Sequence, residues 1–401
     1  QPRTATSEPV RVGVFIDDFG STHGVSTFYR ALADAPGDGA EITLFHCSDD
    51  PSGVALPAIA TLPIPGYDGA RLAVPSLLDV LQTIERLDLD VVHIAAPGPL
   101  GVAAMVAART LGLPIIGGYH TEFAAYARHF SGDAMVGDIV EIVMRQWFER
   151  CDLVIVPSRS TEDSLAARGY RIDRVVVAGN GVDARRFDPA RRNAACRERL
   201  GGAHRSLLLY SGRISQEKGL EALADAYLAL RARRDDVHLV IVGDGPLRGA
   251  LEDRLGDTAT FTGFLSGDAL AETIASCDLF VFPSMTDTLG RAVIEAQAAG
   301  LPAIVFAGGG PAECILANRT GLLARPGDMI SFTTQIERLL DDPERRARMG
   351  VAAREMAAAM DWASVRADLV KHFQAIAASP PARRAPLALP SQVAAFSGLG
   401  A

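Results

Sequence analysis

The sequence predicts an α/β protein built from two doubly wound parallel sheets that face each other across a deep cleft. Three observations carry that expectation. Short continuous apolar runs alternate with helical patterns; the alternation pauses at a charged, Pro-containing stretch (184–204) and then restarts; and 401 residues suffice for two domains of ~100–200 residues each. Apolar runs that do not alternate with polar residues are the signature of parallel strands covered on both faces.

In the first half, 10–16 reads as a buried strand, followed by the turn Gly20-Ser21-Thr22-His23-Gly24-Val25 and a helix to about residue 32. Further strands are expected at 41–46, 91–95, 114–117 and 153–156, with an alanine-rich helix at 102–111 after Pro97-Gly98-Pro99. In the second half, strands at 207–211, 237–242, 260–262, 279–282 and 302–306 alternate with helices at 219–232, 247–255 and 269–275, and one opening near Gly290. Helical segments follow at 332–340, 343–360 and 362–377, the last carrying Val365, Leu369 and Phe373 at helical spacing. From 379 to 401, Pro, Ala and Ser without periodicity read as a flexible tail. In such Rossmann-like sheets, ligands bind beyond the carboxyl ends of the strands, so function is expected in the loops found there.

A net charge of −9 argues against nucleic acid as the main partner, because phosphate backbones demand a basic surface. Cys47, Cys151, Cys196, Cys277 and Cys314 are scattered and form no Cys-x-x-Cys, so they read as reduced thiols rather than a disulfide frame or zinc site. No apolar run reaches the ~18–20 residues of a membrane span, and the first residues do not read as a signal peptide. A cytoplasmic location is expected, with peripheral contact at the inner face of the cell membrane left open. The stripe of Ile139, Val140, Ile142, Val143, Trp147 and Phe148 is read first as the buried side of a core helix, and second as an interfacial helix touching a membrane.

The segment from Thr286 to Gly300 carries the most chemistry. Asp287 and Glu295 bracket a Gly290-containing turn that leaves an apolar strand and enters a helix. That arrangement offers free backbone N–H groups to an anion and carboxylates to the hydroxyls beside it, which suits a sugar nucleotide. Arg213 and Lys218, in Ser211-Gly212-Arg213-Ile214-Ser215-Gln216-Glu217-Lys218-Gly219, add two cations suited to a diphosphate leaving group. Gly243-Asp244-Gly245-Pro246 reads equally as a wall of the nucleotide pocket or as a tight turn that starts a helix; Arg248 breaks the dinucleotide fingerprint. His120, in Gly117-Gly118-Tyr119-His120-Thr121-Glu122-Phe123, is read as functional rather than structural. His93 is read as a strand-end residue, and His129 as either an acceptor contact or a solvent-facing side chain. Asp88-Leu89-Asp90 precedes a strand instead of ending one and reads as a helix-end charge pair, and no other grouping has metal-ligand spacing.

With these residues assembled, the chain resembles the family-4 glycosyltransferases, retaining enzymes of the GT-B fold, up to about residue 378. The likeness rests on Gly24-Val25, Pro97-Gly98-Pro99-Leu100-Gly101, Tyr119-His120-Thr121, Gly181-Val182-Asp183 with Phe187, Gly212-Arg213 with Lys218-Gly219, Gly243-Asp244-Gly245-Pro246, Gly263-Phe264, and a segment similar to the family's Glu-x7-Glu motif. The resemblance implies that Arg213 and Lys218 hold the diphosphate, Asp287 contacts donor-sugar hydroxyls, Glu295 binds the ribose, and His120 lies against the sugar near the reacting carbon. It places Gly24, Gly243, Gly245, Leu265, Leu289, Gly290 and Arg291 around the donor, with amides from Leu289 to Arg291 completing the phosphate cradle. It also implies an acceptor-binding domain at 1–185, a donor domain at 204–360, and a helix at 361–378 packing back on the first domain.

The expected reaction moves a sugar from GDP-mannose or a UDP-hexose to a hydroxyl of a lipid-linked or small-molecule acceptor, with no metal or other cofactor required. Asp287 stands where the family has Glu, one methylene shorter, which leaves the choice of sugar open. A sugar-nucleotide epimerase or hydrolase on the same fold, or a non-catalytic sugar-nucleotide-binding protein, are the rival readings.

Overall fold

The computed structural model describes residues 8–17, 24–63, 71–202 and 205–379. The first-turn residues Gly20 to His23, the tail from 380 onward and the side chain of His129 lie outside the described residues.

The first sheet, with its connections, comprises β1 (Val10–Phe15), α1 (Gly24–Asp34), β2 (Ala40–His46), β3 (Val54–Ala55), a hairpin of β4 (Ala58–Pro63) and β5 (Arg71–Pro75), α2 (Leu77–Arg86), β6 (Val91–Ile94), α3 (Pro99–Leu111), β7 (Ile115–Gly118), α4 (Phe123–Ser131), α5 (Ala134–Phe148), β8 (Leu153–Val156), α6 (Arg159–Ala167) and β9 (Val175–Val177). Among the described residues its order is β3-β2-β1-β6-β7-β8-β9, every ladder parallel, with the antiparallel β4–β5 pair standing apart.

The chain continues through α7 (Ala194–Arg199), β10 (Ser206–Ser211), α8 (Leu220–Arg231), β11 (Val237–Val242), α9 (Arg248–Leu255), β12 (Ala259–Gly263), α10 (Gly267–Ala275), β13 (Leu279–Phe282), α11 (Arg291–Ala298), β14 (Ala303–Phe306), α12 (Gly310–Glu313), β15 (Gly321–Ala324), α13 (Met329–Leu340), α14 (Pro343–Ala358) and α15 (Trp362–Ala377). The second sheet runs β12-β11-β10-β13-β14-β15, also parallel. In each sheet the order reverses beside the first strand of the series, between β1 and β6 and between β10 and β13. At that point neighbouring strands send their loops apart over opposite faces and open a crevice.

The strands are buried because their residues are apolar on both faces: Leu207 to Tyr210 and Leu279 to Val281 are all at most 1% exposed. The charged stretch 184–204 is not a plain linker. Asn193 caps α7 through its side chain, and Phe187, Cys196 and Leu200 are buried in the core of the second sheet. Helix α15 leaves that core and lays Leu369, Val370, Phe373 and Ile376 into the cluster formed by Val12 and Val14 of the first sheet and Leu32 of α1. At about 1.5–3 kcal/mol per buried large apolar side chain, an upper estimate, this strap contributes about 6–12 kcal/mol of gross burial. Arg366 of α15, itself buried, donates to the carbonyls of Leu32 and Ala40 and so ends α1 and opens β2.

Two further expectations are settled here. Asp88 and Asp90 do form a structural charge cluster, pairing with Arg11 at the start of β1. The apolar stripe of α5 is divided: Phe148 is buried in the core and Trp147 packs against it, while Ile139, Ile142 and Val143 are 54, 46 and 52% exposed, as is Met135 before them at 64%. Helix α5 pairs mainly with α4, which leaves the Ile139, Ile142 and Val143 part of its apolar face uncovered among the described residues.

Candidate active site

The neighbouring strands β10 and β13 bring together two loops that are far apart in sequence. The loop after β10 begins at Gly212 (φ +155°), is held by the Tyr210 hydroxyl donating to the Arg213 carbonyl at 2.8 Å, and ends in a single 3-10 turn at Gln216–Lys218. Gly219 (φ +73°) closes that turn, where a Cβ would sit 3.1 Å from the Pro283 carbonyl. The loop after β13 crosses over it, and the Thr286 hydroxyl donates to the Glu217 carbonyl at 3.2 Å.

At this junction Lys218 Nζ donates to Asp287 Oδ1 at 2.8 Å, although the two residues are 69 apart in the chain. Burial works against the lysine's charge, but the Asp287 carboxylate outweighs it and holds the ammonium above its usual range. Asp287 Oδ2 is buried and has no hydrogen-bond partner. A buried acceptor held in place by its sister oxygen is arranged to receive a donor from outside the chain.

Three residues on, Gly290 (φ +121°) starts α11 with no side-chain cap, so the first N–H groups of that helix stay available at its positive end. Only glycine fits there: a Cβ would approach Pro311 Cα to 2.9 Å. Leu289 beside it is buried. On α11, Arg291 Nε donates to Glu295 Oε1 at 2.9 Å. Burial pushes the Glu295 carboxyl up, opposed by Arg291 and by Arg186.

The first domain closes the site from the other side. The Thr288 hydroxyl donates to the His120 carbonyl at 3.0 Å, and the Thr288 carbonyl accepts from Ser158 Oγ at 2.6 Å and Thr161 Oγ1 at 3.3 Å. Glu313 of α12 accepts the backbone N–H groups of Arg159 and Ser160, capping α6 across the cleft. His120 follows β7, with its Nε2 2.7 Å from the Tyr29 hydroxyl and its ring 5.2 Å from that of Phe28. Burial pulls its pKa down to about 4.

Comparison with known proteins shows the family of the chain. The family described as Glycosyltransferase Family 4 matches residues 20–186, and Glycosyl transferases group 1 matches 199–356. A GDP-mannose-dependent alpha-mannosyltransferase of Mycolicibacterium smegmatis is 37% identical over 303 residues, covering 75% of this chain and 77% of that protein. The chain belongs to the family-4 glycosyltransferases. The transferase is also similar to the sulfoquinovosyl transferase of Arabidopsis thaliana, 31% identical over 89% of this chain and 72% of that protein. Its fold is GT-B: HepE of Anabaena, solved with UDP and glucose, superposes with a TM-score of 0.75 at 19% identity over 91% of this chain and 100% of that one. Sucrose-phosphate synthase of Thermosynechococcus elongatus gives 0.71 at 22% over 92% and 100%.

Of the residues singled out in the sequence, Lys218, Asp287, Leu289, Gly290, Arg291 and Glu295 of the transferase lie along the β10–β13 crevice and the start of α11, with Arg213 in the same loop as Lys218. His120 joins them through Thr288. Gly243 and Gly245 are required by packing, whichever of their two readings holds. A Cβ on Gly243 would sit 1.9 Å from the Gly212 carbonyl, and one on Gly245 2.3 Å from the Ile214 carbonyl, so both glycines back the Arg213 loop. Leu265, beyond the edge strand β12, is half-buried against the second core. Gly24 opens α1, and a Cβ there would meet nothing within 4 Å, so no described neighbour demands glycine at that position. Glu122 is engaged by Arg168 and by the Tyr119 hydroxyl, a structural role.

Sequence reasoning missed Tyr29, Ser158, Thr161 and Glu313. Ser158 had a local signal as an N-cap. The contacts that tie the other three to the site join residues 91 or more apart, beyond any motif.

Proposed function

We propose that the protein is a retaining glycosyltransferase that moves a hexose from a nucleoside diphosphate to an acceptor hydroxyl, with GDP-mannose the first donor to test and UDP-hexoses the second. Relatives named GDP-mannose-dependent alpha-mannosyltransferase, at 37, 33 and 34% identity, support that order. The observation that carries the reading is the Lys218–Asp287 pair beside the open start of α11: a fixed cation and helix N–H groups for a diphosphate, next to a buried unpartnered carboxylate oxygen for a sugar hydroxyl.

In this scheme Arg213, Lys218 and the α11 amides meet the negative charge that grows on the leaving diphosphate. Asp287 Oδ2 accepts from a sugar hydroxyl, and Glu295 accepts from the ribose. The acceptor oxygen bonds to the anomeric carbon on the face from which the diphosphate leaves. Its proton passes to the departing phosphate oxygen, so no separate base is needed. Metal independence follows as an expectation, which turnover in excess chelator would test.

The acceptor side is assigned to the loops of the first sheet. The exposed apolar face of α5 is where that domain would meet a lipid surface if the acceptor is lipid-linked. Among the described residues no helix is long and apolar enough to cross a membrane.

The test is transfer from GDP-mannose and UDP-glucose to a panel of glycoside and lipid acceptors, with the product anomer read by proton NMR. An α-linked product from an α-linked donor is expected. An inverted anomer would refute retention, and nucleotide release indifferent to every acceptor would favour a hydrolase.

A further inference from the structure

Three neutral rings are joined behind His120. The Tyr29 hydroxyl lies 2.8 Å from His93 Nε2 and 2.7 Å from His120 Nε2. Tyr29 and His93 are both 0% exposed, and the three rings meet edge to face, with Phe28 against His120 and Phe373 against His93. Burial drives the His93 pKa down to about 3, helped by His120, and that of His120 to about 4, while it raises Tyr29 well above a free phenol. Near neutral pH each imidazole therefore carries one N–H and the phenol keeps its O–H.

Two hydrogen bonds converge on one hydroxyl that has a single proton. Tyr29 can donate to only one of the two Nε2 atoms, so the other imidazole must donate to Tyr29. His93 decides which. Its Nδ1 is buried without a partner. If Tyr29 donated to His93, the His93 proton would sit on Nδ1 as an orphaned buried N–H, a rarer and costlier defect than an unused lone pair. The favoured chain therefore runs His93 Nε2–H to Tyr29, then Tyr29 O–H to His120 Nε2. With Nε2 accepting, the His120 proton resides on Nδ1. Among the described residues no hydrogen bond to His120 Nδ1 is present, which leaves that N–H for a ligand.

We propose that Tyr29 and His93 are positioning residues that lock His120 as its Nδ1–H tautomer, a neutral hydrogen-bond donor to an oxygen of the transferred sugar. The donor role rests on the placement of His120 against the sugar made under Proposed function; the tautomer rests on the three-ring chain alone. The lock also fixes the ring orientation, so the N–H needs no reorganisation when the sugar is transferred.

Nitrogen-15 NMR of histidine-labelled protein tests the tautomer directly, with His120 assigned by its loss in His120→Ala. A protonated Nδ1 and bare Nε2 are expected in the free protein, and a proton on Nε2 overturns the proposal. Tyr29→Phe should give mixed His120 tautomers and lower kcat about tenfold while leaving KM for the donor within about twofold. If Tyr29→Phe proves poorly folded, His93→Gln and His93→Phe carry the test. Gln can still donate to Tyr29 and should keep near-normal kcat and the Nδ1–H signature, whereas Phe leaves Tyr29 able to donate to or accept from His120 and should give mixed tautomers and a lower kcat. Equal behaviour of these two variants overturns the lock. Unaltered turnover in His120→Ala would overturn the placement of His120 and the donor role with it, separately from the tautomer result.

Discussion

Replacing Lys218 with alanine tests the centre of the site. The ammonium sits 2.8 Å from Asp287 Oδ1, with side-chain exposures of 12 and 23%. On the proposed assignment its removal takes a cation from the leaving diphosphate, and it leaves Asp287 with no partner for either oxygen. A hydrogen bond to a charged group is worth about 1.5–3 kcal/mol, and about 1.36 kcal/mol is a factor of ten in rate. Lys218→Ala should therefore lower kcat by roughly tenfold to 150-fold.

The same change costs stability. Breaking a fully buried pair costs about 3–5 kcal/mol, but Asp287 can turn towards solvent in the cleft, so about 1–2 kcal/mol is expected here. Lys218→Ala/Asp287→Asn should recover most of that loss in urea unfolding, because no lone carboxylate remains, yet recover none of the lost kcat. Single-turnover measurements at saturating donor separate the two effects. A kcat within ~3-fold of wild type in a folded Lys218→Ala protein would refute the diphosphate assignment.

Other consequences are sharper for being local. Gly243→Ala forces a Cβ to within 1.9 Å of the Gly212 carbonyl at a φ of +134°, so unfolding and activity should both suffer, with stability lower by roughly 2 kcal/mol or more; an unchanged Tm would contradict the packing role. His93 and His120 are held neutral by the fold, so the stability they contribute is complete above their unfolded pKa of 6.5 and drains as pH falls towards about 3 for His93 and about 4 for His120. That slope approaches ~1.4 kcal/mol per pH unit for each histidine, and urea midpoints of His93→Gln should be flatter than wild type between those limits. Glu313→Ala strips the cap from two backbone N–H groups of α6 across the cleft, and small-angle scattering should show a more open molecule; an identical radius of gyration would mean the latch is idle. Ile139→Glu should reduce co-flotation with anionic vesicles without altering transfer to a water-soluble acceptor, and unchanged flotation would remove α5 from the lipid contact.

The sequence alone determined the parallel strands and the loops that would carry chemistry. Runs such as Leu279 to Phe282 have few other ways to bury apolar residues on both sides, and Gly290 and Gly219 mark where a strand must turn sharply into a helix. The strap helix over 362–377 was legible because Val365, Leu369 and Phe373 repeat at helical spacing. These are local signals, set by steric preference and hydrophobic period within a few residues.

What the tertiary structure decided depends on which strands become neighbours. Only the adjacency of β10 and β13 lets Lys218 reach Asp287, and only closure of the two domains sets Thr288 against His120 and Ser158. The need for glycine at 243 and 245 comes from the Gly212 and Ile214 carbonyls of another loop, and the Ile139, Ile142 and Val143 part of the α5 stripe is exposed while Phe148 is buried. Period and composition report that a residue is apolar or polar, but not what will stand opposite. Pairings between residues 64 to 168 apart, such as the chain from His93 through Tyr29 to His120, exist only after the sheets have chosen their order.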